Sequence, residues 1–261
     1  MAAMTDAAAH PPRSSDRPVA LVTGPTSGLG TSFARLLASQ GHDLVLVARD
    51  EDRLRALATE LETEHGAGTE LIVADLATGK GRMMVAARLA RGIDVLVNNA
   101  GFATPGVFWD TEPELLQAQL AVNVTAVMEL THAALPPMRA AGRGTIINVA
   151  SVSGLLSGPE SAYGAGKAWV VKFSEGLAHQ LTGSGVHVQA LCPGYMKTEF
   201  HSRAGQDASG VPGALWSDPD EVARTGLQDA QKGWAVSVPG WRYKLYTTID
   251  RLKPRRLVWR C

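Results

Sequence analysis

The chain has 261 residues, 45% of them apolar, which suffices for one large domain with its own core and does not call for two. Its 25 Lys and Arg balance 25 Asp and Glu, so there is no global charge for nucleic acid to read. Cys192 and Cys261 make no disulfide framework and point to a reducing cytoplasm, no apolar run reaches the roughly 18 residues that span a bilayer, and His132, His187 and His201 show no metal-ligand arrangement.

Residues 1–17 hold Asp6, His10 and two prolines without an apolar core, and read as a disordered leader. From Pro18 onward, short apolar runs alternate with helical patterns. Strands are predicted at Val19–Thr23, Asp43–Ala48, Glu70–Ala74, Val95–Asn98, Thr145–Asn148, His187–Cys192 and Ala235–Val238. This alternation predicts an α/β fold with a doubly wound parallel sheet of about seven strands, in a single domain over residues 18–240.

The first strand runs into Thr23-Gly24-Pro25-Thr26-Ser27-Gly28-Leu29-Gly30, followed by a predicted helix over 31–40. Glycines permit a tight turn and close approach to a pyrophosphate, and a helix N-terminus offers unpaired N–H groups. A glycine turn alone is as often merely structural. The second strand ends Val47-Ala48-Arg49-Asp50. An acid here would select the ribose hydroxyl of NAD, whereas Ala48 followed by Arg49 favours the 2′-phosphate of NADP. The bland reading makes Arg49 and Asp50 solvated charges, with Asp50 capping a helix. Asp75-Leu76 ends the third strand, as an adenine contact or a turn aspartate, and Asn98-Asn99-Ala100-Gly101 ends the fourth.

Chemistry concentrates in residues 151–167. Tyr163 and Lys167 stand four apart, so on a helix both project from one face. A positive charge beside a phenol favours the phenolate and moves its pKa down from about 10. Ser151 follows the fifth strand, at the carboxyl edge where open α/β sheets bind ligands. A Tyr and a Lys at this spacing are, taken alone, more often a surface pair.

Taken together, Thr23-Gly24-x-x-x-Gly28-x-Gly30, Asn98-Asn99-Ala100-Gly101, Asn123, Ser151, Tyr163-x-x-x-Lys167 and Pro193-Gly194 with Thr198 resemble the classical short-chain dehydrogenase/reductase family, over about residues 18–240. The resemblance implies a Rossmann-type domain that reduces a carbonyl reversibly with a nicotinamide cofactor. It implies that Tyr163 exchanges the proton, that Lys167 lowers the Tyr163 pKa and holds the nicotinamide ribose, that Ser151 holds the substrate oxygen, and that Asn123 fixes a helix and a relay water. It further implies cofactor contacts from Gly24, Thr26, Ser27, Gly28, Leu29 and Gly30 at the phosphates, Asp75 and Leu76 at the adenine, Asn98, Ala100 and Gly101 along the adenosine side, and Pro193, Gly194 and Thr198 at the nicotinamide.

The chain departs from the family pattern at Gly166, where a serine is usual; with Gly164 it puts two glycines in one helical turn, a sign of close packing. Ser153 competes with Ser151. Residues 194–216, rich in Gly and Ser around Tyr195, Met196, Phe200, Leu215 and Trp216, suit a mobile lid with an apolar underside. Phe102, Phe108 and Trp109, with Leu155 and Leu156, could line the same cleft, and a lipophilic ketone, 3-oxoacyl chain or steroid-like alcohol fits it better than a sugar. Residues 241–261 form a basic amphipathic extension, read either as a helix packing its apolar face on the domain or as a peripheral contact with an anionic membrane. Pro254 would end such a helix. Helical patterns over 113–138 and 161–181 could pair across a two-fold axis, so a homodimer is expected, with a tetramer as the next choice. The rival reading is a nucleotide-binding regulatory or membrane-peripheral protein that retains the fold; Tyr163→Phe separates it from a reductase.

Overall fold

Seven short runs that sequence marks as apolar pair, all in parallel, into one sheet of order β3-β2-β1-β4-β5-β6-β7. The computed structural model describes residues 17–156, 161–200 and 210–252. The leader before Arg17, part of the expected lid and the tail beyond Leu252 lie outside the described residues. The strands are β1 (Val19–Thr23), β2 (Asp43–Ala48), β3 (Thr69–Val73), β4 (Val95–Asn98), β5 (Gly144–Val149), β6 (Val186–Leu191) and β7 (Val236–Ser237). Strands buried on both faces give near-continuous Val/Leu/Ile runs, which is why β1, β2 and β4 begin and end where expected. β7 is shorter than the expected 235–238 and pairs with β6 through Val236 and Ser237.

Helices cover both faces. α1 (Gly28–Ser39), α2 (Glu51–His65) and α7 (Pro219–Gln231) pack Phe33, Leu37, Leu54, Leu61 and Leu227 on one side, and α3 (Gly79–Leu89) and α5 (Val127–Ala141) pack Leu89, Leu130 and Met138 on the other. α1 starts three residues earlier than the expected Thr31, because Gly28 and Gly30 themselves form its first turn. α2 opens on the Asp50 carboxylate, which accepts from the Arg53 N–H at 3.0 Å, and closes on left-handed Gly66. The bland capping role of Asp50 is therefore real. α4 (Pro113–Leu120) joins α5 through a wide helical turn, Ala121–Ala126, that carries Asn123, and α6 (Ala162–Gln180) carries Tyr163 and Lys167. The last helix among the described residues, α8, spans Trp241–Leu252.

The chain winds outward from β1 to β3, then crosses back to lay β4 beside β1 on its other side. The carboxyl ends of β1 and β4 thus part at a topological switch point, where such folds open a crevice. Among the described residues no helix is long and apolar enough to cross a membrane, and no group of three His, Cys, Asp or Glu stands in position to hold a metal.

Candidate active site

Above the switch point lies a cleft of about 2540 Å³, larger than the roughly 300–1,000 Å³ of an ordinary ligand pocket and roomy enough for a dinucleotide and a substrate together. At one end is the glycine turn. Gly24 and Gly28 hold φ of 64° and 53°, which side chains disfavour. A methyl on Gly24 would lie 3.1 Å from Ala100 Cα, and one on Gly28 2.9 Å from Thr198 Cγ2. Ser27 precedes α1 without capping it through its side chain, and the first residues of α1, Gly28 and Leu29, line the cleft. Thr26 and Ser27 line it beside them. Gly30 does not. It stands behind the turn, where a methyl would fall 2.1 Å from the Gly24 carbonyl oxygen and 2.5 Å from Asn99 Nδ2, so its smallness serves packing between helix and strand and not phosphate contact.

The end where adenosine is expected is set by β2 and β3. Ala48, Arg49 and Arg53 line one wall and Asp75 and Leu76 another. The Asp75 carboxylate also accepts from the Ala77 N–H at 2.9 Å, so the turn role and a place on the cleft wall coexist. Arg53 pairs with Glu199, in the segment after β6, at 3.4 Å.

Asn98 requires correction. It is buried within the sheet, where its Nδ2 donates to Asn148 Oδ1 at 2.9 Å and Thr131 Oγ1 at 3.2 Å, and it does not line the cleft. Its neighbour Asn99 does: Asn99 Nδ2 donates to the carbonyls of Thr23 and Gly24 at 2.9 and 3.0 Å and so braces the glycine turn. Ala100 and Gly101 follow it along the wall.

The end where proton transfer is expected gathers residues from four elements. Ser151 and Ser153 both face the cleft after β5; the Ser151 hydroxyl oxygen accepts from the Ser153 N–H at 3.1 Å, which fixes its direction. Gly154 presses this turn onto α6, where a methyl would meet the Lys167 carbonyl carbon at 2.6 Å. Tyr163 and Lys167 face the same space, with Lys167 Nζ 5.7 Å from the Tyr163 ring centre. Lys167 is buried and donates to the Val149 carbonyl at 2.8 Å; desolvation pushes its pKa down to about 8, against a smaller upward pull from Cys192. Asn123 lies behind the wall. Its Nδ2 donates to the Phe102 carbonyl at 2.8 Å and its Oδ1 accepts from the Phe102 N–H at 3.0 Å, and a methyl on Gly101 would sit 3.0 Å from that oxygen and 3.5 Å from Lys167 Nζ. Pro193, Gly194 and Thr198 close the side opposite. Gly166 is less crowded than expected: a methyl there makes ordinary contact, 3.4 Å from Val124 Cγ2.

Of the expected substrate residues, Phe102 and Met196 line the cleft. Phe108 lies on the surface, 56% exposed. Leu155 packs on the cluster of Val127, Val170 and Cys192, leaving Leu156 to face the cleft. Trp216 turns away, donating its Nε1–H to the Val211 carbonyl at 3.3 Å, and Leu215 takes its place. The sequence reading missed the wall contributed by α8: Trp241, Leu245, Tyr246 and Ile249 line the mouth, and Tyr243 is its pin. The Tyr243 hydroxyl accepts from the Tyr195 N–H at 2.9 Å and donates to the Leu215 carbonyl at 2.6 Å, joining the two ends of the expected lid. Its ring lies on Gly194, where a methyl would come within 1.9 Å of Cζ. An aromatic interleaved with Arg and Lys was the available signal.

A glycine turn at the start of α1, a doubly wound sheet and a Ser, Tyr and Lys converging in one cleft define a nucleotide-dependent oxidoreductase domain. The family model for short chain dehydrogenases matches residues 18–209, and the chain belongs to that family. It is 38% identical over 229 residues to a Streptomyces virginiae protein assigned as the ketoacyl reductase of the monensin polyketide synthase, covering 78% of this chain and 87% of that one. A short-chain dehydrogenase from Sphingobium yanoikuyae, solved in complex with NADPH, superposes with a TM-score of 0.82 at 36% identity, over 90% of this chain and 94% of the other. The bulky-bulky ketone specific alcohol dehydrogenase of Comamonas testosteroni superposes with a TM-score of 0.80 at 29% identity, over 95% and 96%.

Proposed function

We propose that the protein uses NADPH to reduce an apolar ketone or 3-oxoacyl group to a secondary alcohol, reversibly. The observation that carries this reading is the convergence of Ser151, Tyr163 and Lys167 on a cleft that runs from a glycine turn to an apolar mouth. Arg49 and Arg53 on the adenosine wall, with Ala48 where an acid would select NAD, favour a cofactor bearing a 2′-phosphate. The relative solved with NADPH supports the same choice. Among relatives, the names ketoacyl reductase and bulky-ketone dehydrogenase support a bulky, apolar carbonyl.

The residues present fit a dinucleotide, since side chains at Gly24 and Gly28 would be strained and would crowd Ala100 and Thr198. When bound, the nicotinamide supplies the hydride for the carbonyl carbon or accepts it from the alcohol. In this reading the Ser151 hydroxyl donates a hydrogen bond to the substrate oxygen and holds it toward Tyr163. The Tyr163 hydroxyl gives its proton to that oxygen as the carbonyl becomes an alcohol, and takes it back in reverse. Lys167, held by the Val149 carbonyl beside the Tyr163 ring, stabilises the phenolate that proton transfer leaves. Asn123 positions the loop at Phe102 and so the wall next to Lys167. Exposed Leu120 and Met128 on the helical stretch from α4 to α5 suit a homodimer, with a tetramer as the next choice, in a reducing cytoplasm.

NADPH oxidation followed across ketones of increasing apolar length tests the reading. Turnover is expected to rise with chain length, and Tyr163→Phe is expected to lower it by roughly 10²–10⁴-fold, the usual contribution of a positioned acid, with NADPH affinity retained. Turnover by Tyr163→Phe equal to that of the parent would refute the role.

A further inference from the structure

In an ordinary surface helix the apolar side faces the core, but α8 is built the other way round. The residues it buries are Tyr243 and Thr247, at 6% and 5% exposure, both held by hydrogen bonds to backbone carbonyls. Trp241, Leu245, Ile249 and Leu252, spaced four, four and three residues apart and therefore on one stripe, are 67%, 53%, 48% and 78% exposed. Exposed Arg242 and Lys244 flank that stripe, the Arg242 guanidinium 4.9 Å from the Trp241 ring centre. The sequence continues past Leu252 with Lys253, Arg255, Arg256 and Arg260 and no acid. Aromatic and aliphatic side chains along an outward stripe, edged by cations, are the composition of a helix that lies in a lipid–water interface. The charge settles the choice of occupant. A second copy would set these cations against one another across a two-fold axis, whereas anionic headgroups complement them.

We infer that α8 rests along an anionic lipid surface with its apolar stripe in the interface. Trp241, Leu245 and Ile249 belong both to the stripe and to the mouth of the cleft, so docking opens that mouth onto the bilayer. The substrate class is accordingly a lipid-dissolved ketone or acyl chain, which enters sideways without crossing water; this part rests on the cleft being a site for apolar carbonyls. α8 is the wall through which such a molecule passes.

The test is sedimentation of the full-length protein with vesicles of phosphatidylcholine alone or mixed with phosphatidylglycerol. Binding to the mixed vesicles is expected to be about tenfold stronger or more and to weaken as salt is raised. The double variant Lys244→Glu with Leu252→Ser, at two exposed positions off the cleft wall, is expected to lose vesicle binding while keeping its melting temperature and its turnover of a water-soluble ketone. Equal binding to both vesicle types, no binding to either, or full binding by the double variant would overturn the inference. So would a dimer that the double variant converts to monomer, or capture of the stripe by an acidic carrier protein in place of vesicles. Vesicle binding is read without substrate, so its failure is distinct from a failure of ketone turnover.

Discussion

Removing the Tyr243 hydroxyl tests whether α8 holds Tyr195 and Leu215 in place beside the cleft. Tyr243→Phe keeps the ring on Gly194 and deletes two hydrogen bonds, from the Tyr195 N–H at 2.9 Å and to the Leu215 carbonyl at 2.6 Å. Burial raises the Tyr243 pKa above its ordinary value, so through neutral pH the hydroxyl keeps the proton it donates. Each bond contributes about 0.5–1.5 kcal/mol net, and a backbone N–H left without an acceptor adds to the loss, so about 2 kcal/mol is at stake. If that energy maintains the positions of Tyr195 and Leu215, KM for an apolar ketone rises roughly 30-fold, while NADPH affinity and kcat at saturation change little. Steady-state kinetics with a long-chain ketone, a fluorescence titration with NADPH and a thermal melt read the three quantities. A melting temperature lower by about 4–8 °C with KM unchanged would mean the hydroxyl stabilises the whole fold and positions nothing. NADPH affinity falling in step with KM would mean that Tyr195 and Leu215 act on the cofactor end, and would equally refute the reasoning.

Three further outcomes are expected. Gly166→Ala removes a helix-interior glycine where a methyl fits beside Val124, so thermal melts should show a gain of about 1 kcal/mol with activity retained; destabilisation would refute the packing argument. Gly30→Ala places a methyl against the Gly24 carbonyl and should cost at least about 1–3 kcal/mol together with NADPH affinity, and an unchanged melt and titration would count against it. For Lys167, the fall in pKa from 10.5 to about 8 means that between those values the unfolded chain binds more protons than the folded one, so cofactor-free stability rises with pH across that window. Burying the charged form costs about 3 kcal/mol below pH 8. Lys167→Met, which also loses the bond to Val149, should therefore be more stable by about 2 kcal/mol in urea at pH 7, with the advantage gone near pH 10.5. No advantage at pH 7 would show that burial does not strain this lysine.

Where strands are buried on both faces, composition alone marks them, and β1, β2 and β4 were legible to the residue for that reason. That Ser151, Tyr163 and Lys167 meet in one cleft was legible because Tyr163 and Lys167 share a helix face fixed by spacing, and Ser151 follows a strand end. Direction was harder to read. Asn98 and Asn99 have the same chemistry, and only the pairing of Asn98 with Asn148 in the β4–β5 register decides that Asn98 points into the sheet and Asn99 braces the turn. Leu155 and Leu156 pose the same problem in a turn, and Trp216 is drawn away from the cleft by a carbonyl five residues earlier. The basic, amphipathic character of residues 241–261 was visible in the sequence. Which way the apolar stripe of α8 faces depends on the Tyr243 hydroxyl finding partners at Tyr195 and Leu215, far from it in sequence.

The ion pair from Arg53 to Glu199 bears on how fast the cleft can exchange its contents. Both side chains are about half exposed and their closest approach is 3.4 Å, so the pair contributes no more than about 1 kcal/mol. A pair of that strength is broken in at least roughly one molecule in six at any instant. A dinucleotide in the cleft would therefore be held by contacts along its length, and its departure rate would be set by those contacts and not by this pair. Raising ionic strength, which weakens an exposed pair first, would leave the residence time of the cofactor nearly as it was while breaking the link from Arg53 to Glu199 more often.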